Sequence, residues 1–176
     1  MSISWTRRSY EAAVLLIPLD PRARAVLGEC GEEALDGIRI ADEELLAAQD
    51  EALINVEAFT TVATGSPGEH GAASSRLEVA VHNADIVVVL THDLAAVDVA
   101  AVTRIGDAAR SNGRLLGAVV VSPDLRWHDD AAHRAAFALR EAADNVAVLS
   151  GMSLALAFFQ VLRGGAREEA LTGAAS

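Results

Sequence analysis

The sequence predicts an α/β fold of three layers, with a mostly parallel sheet between two layers of helices. Three observations carry that prediction. The continuous apolar run Ala12 to Leu19 (AAVLLIPL), and the strand Asp85 to Leu90 (DIVVVL), apolar after its first residue, are what a strand covered on both faces requires. Segments with helical periodicity alternate with these runs, and strands alternating with helices close into right-handed, parallel units. The chain has 176 residues, 52% of them hydrophobic, which is enough for one sizeable core. A single domain is expected over residues 1–165, with a frayed tail at 166–176.

The elements follow in order. Ala12 to Leu19 is the first strand. Asp20-Pro21 opens a helix, since proline suits a first turn and Ala23, Val26 and Leu27 recur at helical spacing. Ala41 to Leu53 (ADEELLAAQDEAL) is a helix with Leu45, Leu46 and Leu53 on one side and a solvated acidic face on the other. Ile54 to Val62 (INVEAFTTV) alternates and is rich in β-formers, so a strand is expected there. Ala63 to Ser75 is a loop dense in Gly, Pro and Ser. A short helix, Arg76 to Asn83, leads into the strand Asp85 to Leu90. Then come a helix at Ala95 to Ser111, a strand at Leu115 to Val121, a helix at Asp129 to Ala143 and a short strand at Val146 to Leu149. The last element is a helix at Ser153 to Arg163, ended by Gly164-Gly165.

Charge narrows the partners. A net charge of −11 and a pI near 4.8 argue against nucleic acid or an anionic membrane as the main partner, because both are repelled. All 14 basic residues are arginine, which removes lysine-based Schiff-base and phosphate chemistry. Cys30 is the only cysteine, so no intramolecular disulfide or CxxC site exists, and a reducing cytoplasm is expected. The opening apolar run is too short for a signal peptide or a membrane span, so the expectation is a soluble, unprocessed, cytoplasmic protein.

The second half resembles a known family. Ala84-Asp85-Ile86-Val87-Val88-Val89, Leu94 to Ala100, Asn112-Gly113, Leu116 to Val121 and Ser122-Pro123 match a run of motifs in one register. These are the Ala-Asp strand, phosphate-loop segment, helix end, TVGVVT-like strand and Pro-containing turn of the bacterial tubulin-like division GTPase FtsZ. Leu139-Arg140-Glu141, Asp144 and Val146 to Leu149 are similar to the family's next strand, and Leu154 to Gly165 to the start of its central helix. The resemblance covers about half the chain, Ala84 to Gly165, and implies the Rossmann-like fold of the FtsZ N-terminal domain.

The departures shape the functional expectation. The family's first phosphate loop falls at Ile17 to Arg22, which has no glycine and two prolines, and its GGGTGTG loop falls on Leu94 to Ala100, again without glycine. Glycine lets backbone N–H groups approach a phosphate, and bulkier residues cannot copy that. Asp93 and Asp98 place negative charge where a triphosphate would lie. The resemblance locates the catalytic carboxylate loop and second domain beyond the last helix, so the expected protein is an inactive, shortened relative.

Two classes of site are expected. Asp20, Asp93 and Asp124 each follow a strand at the edge where open α/β sheets bind ligands. Together they would hold Mg²⁺ for phosphate-ester chemistry or a small ligand; separately they are caps and turn formers. His92 reads as a rim histidine. In His128 to His133 (HDDAAH) the histidines lie about 140° apart round a helix and Asp129 shares a face with His133, which is too few ligands for a metal. No cofactor is expected. The last helix, with Leu156, Phe158, Phe159 and Leu162, either closes the core or supplies an interface with a partner protein or a second copy. A non-catalytic protein-binding or dimerising module, related to division or the cytoskeleton, is the leading expectation.

Overall fold

Alternating apolar runs and helices assemble as the sequence predicts, into one sheet covered on both faces. The computed structural model describes residues 11–47, 76–124, 127 and 129–164. β1 (Val14–Pro18) is buried at every position. It is followed by α1 (Pro21–Glu29), a 3-10 turn (Glu32–Leu35), β2 (Ile38–Ile40), α2 (Glu44–Ala47) and α3 (Arg76–His82). Then come β3 (Ile86–Thr91), a second 3-10 turn (Leu94–Ala96), α4 (Val99–Ser111), β4 (Leu115–Val121), α5 (Asp130–Ala142), β5 (Asn145–Leu149) and α6 (Met152–Arg163).

The five strands among the described residues lie in the order β2-β1-β3-β4-β5, and every neighbouring pair is parallel. Alternate residues face opposite layers. Leu15, Ile17, Val87, Val89, Leu116, Ala118 and Val120 share a core with Leu77 and Val81 of α3, Val102 and Ile105 of α4, and Ala135 and Leu139 of α5. Val14, Leu16, Val88, Leu90, Val119 and Val121 share the other with Ala23 and Leu27 of α1 and Ala155 and Phe159 of α6. This is the Rossmann-like three-layer arrangement, with all strands parallel. In this strand order the chain reverses direction of progression between β1 and β3, and ligands of such sheets bind outside the carboxyl ends of the strands at that point.

Local chemistry explains the helix ends. Asp20, Asp98 and Asp129 cap α1, α4 and α5 by accepting backbone N–H groups of the first turn. Gly164 ends α6 in the left-handed region at φ 73°, which a side chain would disfavour. Close approach of α4 to α5 rests on Gly106, where an added Cβ would lie 2.9 Å from the Ala142 Cβ.

Three expectations are corrected. β2 was not foreseen, because Ile38-Arg39-Ile40 is too short for a period and only Ile38 is buried. The helix expected to begin at Ala95 is two pieces: a 3-10 turn, then extended backbone at Val97, then α4 from Val99. Of the helix expected over Ala41 to Leu53, residues 41–47 are described: α2 begins only at Glu44, and 41–43 lie before it outside any helix. The strand at Ile54 to Val62, the loop at Ala63 to Ser75 and the tail at 166–176 lie outside the described residues. Among those described, no helix is long and apolar enough to cross a membrane.

Candidate functional site

The carboxyl ends of β1 and β3 meet at Asp20. Leu19 extends the β1–β3 pairing by donating its N–H to the Leu90 carbonyl at 2.8 Å, and the chain then turns into α1 through Asp20-Pro21. Asp20 is 2% exposed. Its Oδ1 accepts the Ala23 N–H at 2.9 Å, while its Oδ2 accepts the backbone N–H of His92 at 2.8 Å and that of Asp93 at 3.4 Å. One buried carboxylate therefore receives N–H groups from the first turn of a helix and from the turn after β3. These are the kinds of donor that a helix N-terminus and its neighbouring loop offer to a bound phosphate in nucleotide-binding proteins built on parallel α/β sheets.

Asp93 is exposed and caps the 3-10 turn, accepting the Ala95 N–H at 3.0 Å. Asp124 is exposed in the turn that follows β4. The structure thus brings Asp20 and Asp93 together through the backbone, and gives Asp124 no place in the same cluster. Among the described residues, no group of three His, Cys, Asp or Glu side chains is disposed to hold a metal ion. The expected carboxylate trio is corrected accordingly: Asp20 faces inward as a cap and clamp, whereas Asp93 and Asp124 face solvent. Asp129 is likewise the cap of α5, with its Oδ1 accepting the Ala132 N–H at 2.6 Å, and His133 is exposed. His128 and the His70 loop lie outside the described residues.

One strand further along the same edge, a cavity of about 260 Å³ opens between the turn after β3, the end of β4 and the start of α5. His92, Asp93, Val120, Ser122, Trp127 and Asp129 line it. Three buried polar atoms at this edge have no hydrogen-bond partner among the described residues: Thr91 Oγ1, His92 Nε2 and Trp127 Nε1. Leaving such a group unpaired costs about 1–3 kcal/mol. Burial is the largest influence on His92 and pushes its imidazole below the ordinary histidine range; the Asp20 carboxylate opposes this and Arg22 adds to it. Sequence reasoning singled out His92 but missed Thr91, Ser122 and Trp127. The only signal was position, since each stands at or just beyond the end of a strand in an open α/β sheet.

The other candidate surface is α6. Phe159 is fully buried beneath the sheet beside Ala155, and Leu156, Phe158 and Leu162 pack partly buried against the same core. Of the four residues expected as interface candidates, Phe159 is therefore a core residue, and the other three border that core. Leu154 and Val161 stand out instead, at 51% and 76% exposed, with Ala157 exposed between them at helical spacing. Next to this helix β5 is the outermost strand among the described residues, and its Val148 is 38% exposed.

The chain matches no family model and no curated protein.

Proposed function

We propose that the chain is a non-catalytic domain of the FtsZ N-terminal type, a pseudo-GTPase that works in the cytoplasm as a protein-binding and dimerising module in a division- or cytoskeleton-related assembly. The observation that carries this reading is the Asp20 carboxylate, which takes the backbone N–H groups of Ala23, His92 and Asp93 at the point where β1 and β3 diverge. An incoming phosphate would find those donors engaged and a negative charge in its place. The resemblance of residues 84–165 to the FtsZ nucleotide domain, and the absence of glycine from both phosphate-loop positions, support the same conclusion.

The binding half of the reading rests on the apolar outer stripe of α6, Leu154, Ala157 and Val161, beside β5, the outermost strand among the described residues. A twofold copy laid against this stripe would cover it with the same residues from the other chain. Thermal melts with and without GTP, together with light scattering, test both halves. The expected result is no GTP-dependent rise in Tm, a dimer for the wild type, and a folded monomer for Val161→Glu. A GTP-specific rise, or a wild type that stays monomeric at high concentration, would refute the corresponding half.

A further inference from the structure

The cavity at the ends of β3 and β4 lies one strand away from Asp20 and is lined by groups that the reading above does not use. Asp93 and Asp129 stand on its walls, each with Oδ1 committed to a cap. His92 and Trp127 also line it, and a ring nitrogen of each is buried without a partner. Thr91, 1% exposed and equally unpartnered, pairs in register with Val120 on the cavity wall. Three of the five such atoms among the described residues therefore fall at one sheet edge. In folded proteins an unpaired buried polar group is rare enough to require an explanation, and a missing bound molecule is one.

We propose that this cavity is a binding site for a small uncharged polyhydroxylated molecule, of monosaccharide or polyol size. Its chemistry follows from what the walls offer. The Trp127 Nε1–H only donates, carboxylates only accept, and the Ser122 hydroxyl does both. An anion would meet the carboxylates of Asp93 and Asp129, with Asp20 close behind His92. An ammonium group would satisfy the carboxylates but leave Trp127 facing another donor. Adjacent hydroxyls answer both kinds of partner. The volume, about 260 Å³, lies below the usual range of about 300–1,000 Å³ for drug-sized ligands, so the ligand is small. His92, held neutral by burial, accepts or donates at Nε2 according to its tautomer. Both ring nitrogens are shielded from solvent, so binding includes a rotamer change of Trp127 or His92 of the ordinary kind seen at interfaces.

The test uses the full chain carrying Trp5→Phe, which leaves Trp127 as the only indole. D-glucose, D-ribose and myo-inositol are titrated while Trp127 emission and Tm are followed; glucose 6-phosphate and ethylamine serve as charged controls. Sugars stabilise most proteins by exclusion at high concentration, so a binding response must saturate in the millimolar range. The expected result is a saturable emission shift with at least one neutral probe, and a Tm rise of about 3–5 °C at tenfold excess over Kd. Ser122→Ala removes the hydroxyl that lines the cavity at the end of β4, leaves the fold intact and weakens the probe about tenfold. Trp127→Phe, in the same background, abolishes the Tm response. No saturable response to any neutral probe, a response confined to a charged control, or unchanged affinity in Ser122→Ala would overturn the proposal. Because GTP is not among these probes, failure here is separable from failure of the pseudo-GTPase reading.

Discussion

The backbone N–H of His92 donates to the carboxylate of Asp20 across 2.8 Å, joining two strand exits that are 72 residues apart in the chain. The bond makes one side chain both the cap of α1 and the clamp on the turn that enters the next layer of the fold. It also leaves the strand edge with an anion of its own.

Asp20→Ala removes a cap worth about 1 kcal/mol and leaves buried N–H donors unpaired, so a loss of about 2–4 kcal/mol is expected in urea denaturation. The vacated donors then suit an external anion. Inorganic phosphate should stabilise Asp20→Ala more than the wild type at matched ionic strength. Equal phosphate responses in the two proteins would show that the carboxylate does not stand where an anion binds.

His92 gives a pH dependence whose sign follows from its lowered native pKa. The unfolded chain takes up the proton first, so stability from this group is whole above about pH 6.5 and declines as the pH falls toward the native value. Tm should therefore drop between about pH 7.5 and about pH 5.5, and His92→Asn should flatten that drop. An unchanged slope in the variant would remove His92 as its source.

Phe159 and Val161 separate core from surface on a single helix. Phe159→Ala should cost about 3–5 kcal/mol by opening a cavity under the sheet, whereas Val161→Ala should stay within about 0.5 kcal/mol of wild type. Phe159→Glu buries an unpaired charge and should not fold. Far-UV circular dichroism with chemical denaturation reads all three.

Asp93 is an exposed cap at the rim of the cavity, and asparagine caps equally well. Asp93→Asn is expected to be nearly neutral, and Mg²⁺ to leave Tm unchanged in both proteins. A Mg²⁺-dependent rise that the substitution abolishes would restore a metal role for this edge.

Gly37 ties the end of the last helix to the start of β2. Its φ of 72° admits Arg163, whose Nη1 donates to the Asp36 carbonyl at 2.6 Å, and a Cβ at residue 37 would lie 2.6 Å from the Arg163 Nε. Gly37→Ala should destabilise by about 1–3 kcal/mol from the backbone conformation alone, and more if Arg163 is displaced. Gly28, with open space around it, is the control: Gly28→Ala lies within α1 and should be neutral or stabilising.

What the sequence determined by itself is everything that acts over a few residues. The runs at Val14–Pro18, Ile86–Thr91 and Leu115–Val121 are apolar enough to require cover on both faces, and the aspartates before α1 and α5 cap the helices they precede. Alternation of such segments was sufficient for the layered α/β class. Tertiary structure alone decided β2, whose three residues become a strand only by pairing with Val14, Leu15 and Leu16. It decided which side of α6 turns inward, because a helix apolar around most of its circumference carries no local mark of its buried face. It also turned Asp20 from a cap into a clamp, and gathered Thr91, His92 and Trp127 at one edge. Hydrogen-bond partners 72 residues apart are chosen by strand order and register, and local sequence periodicity carries no information about either.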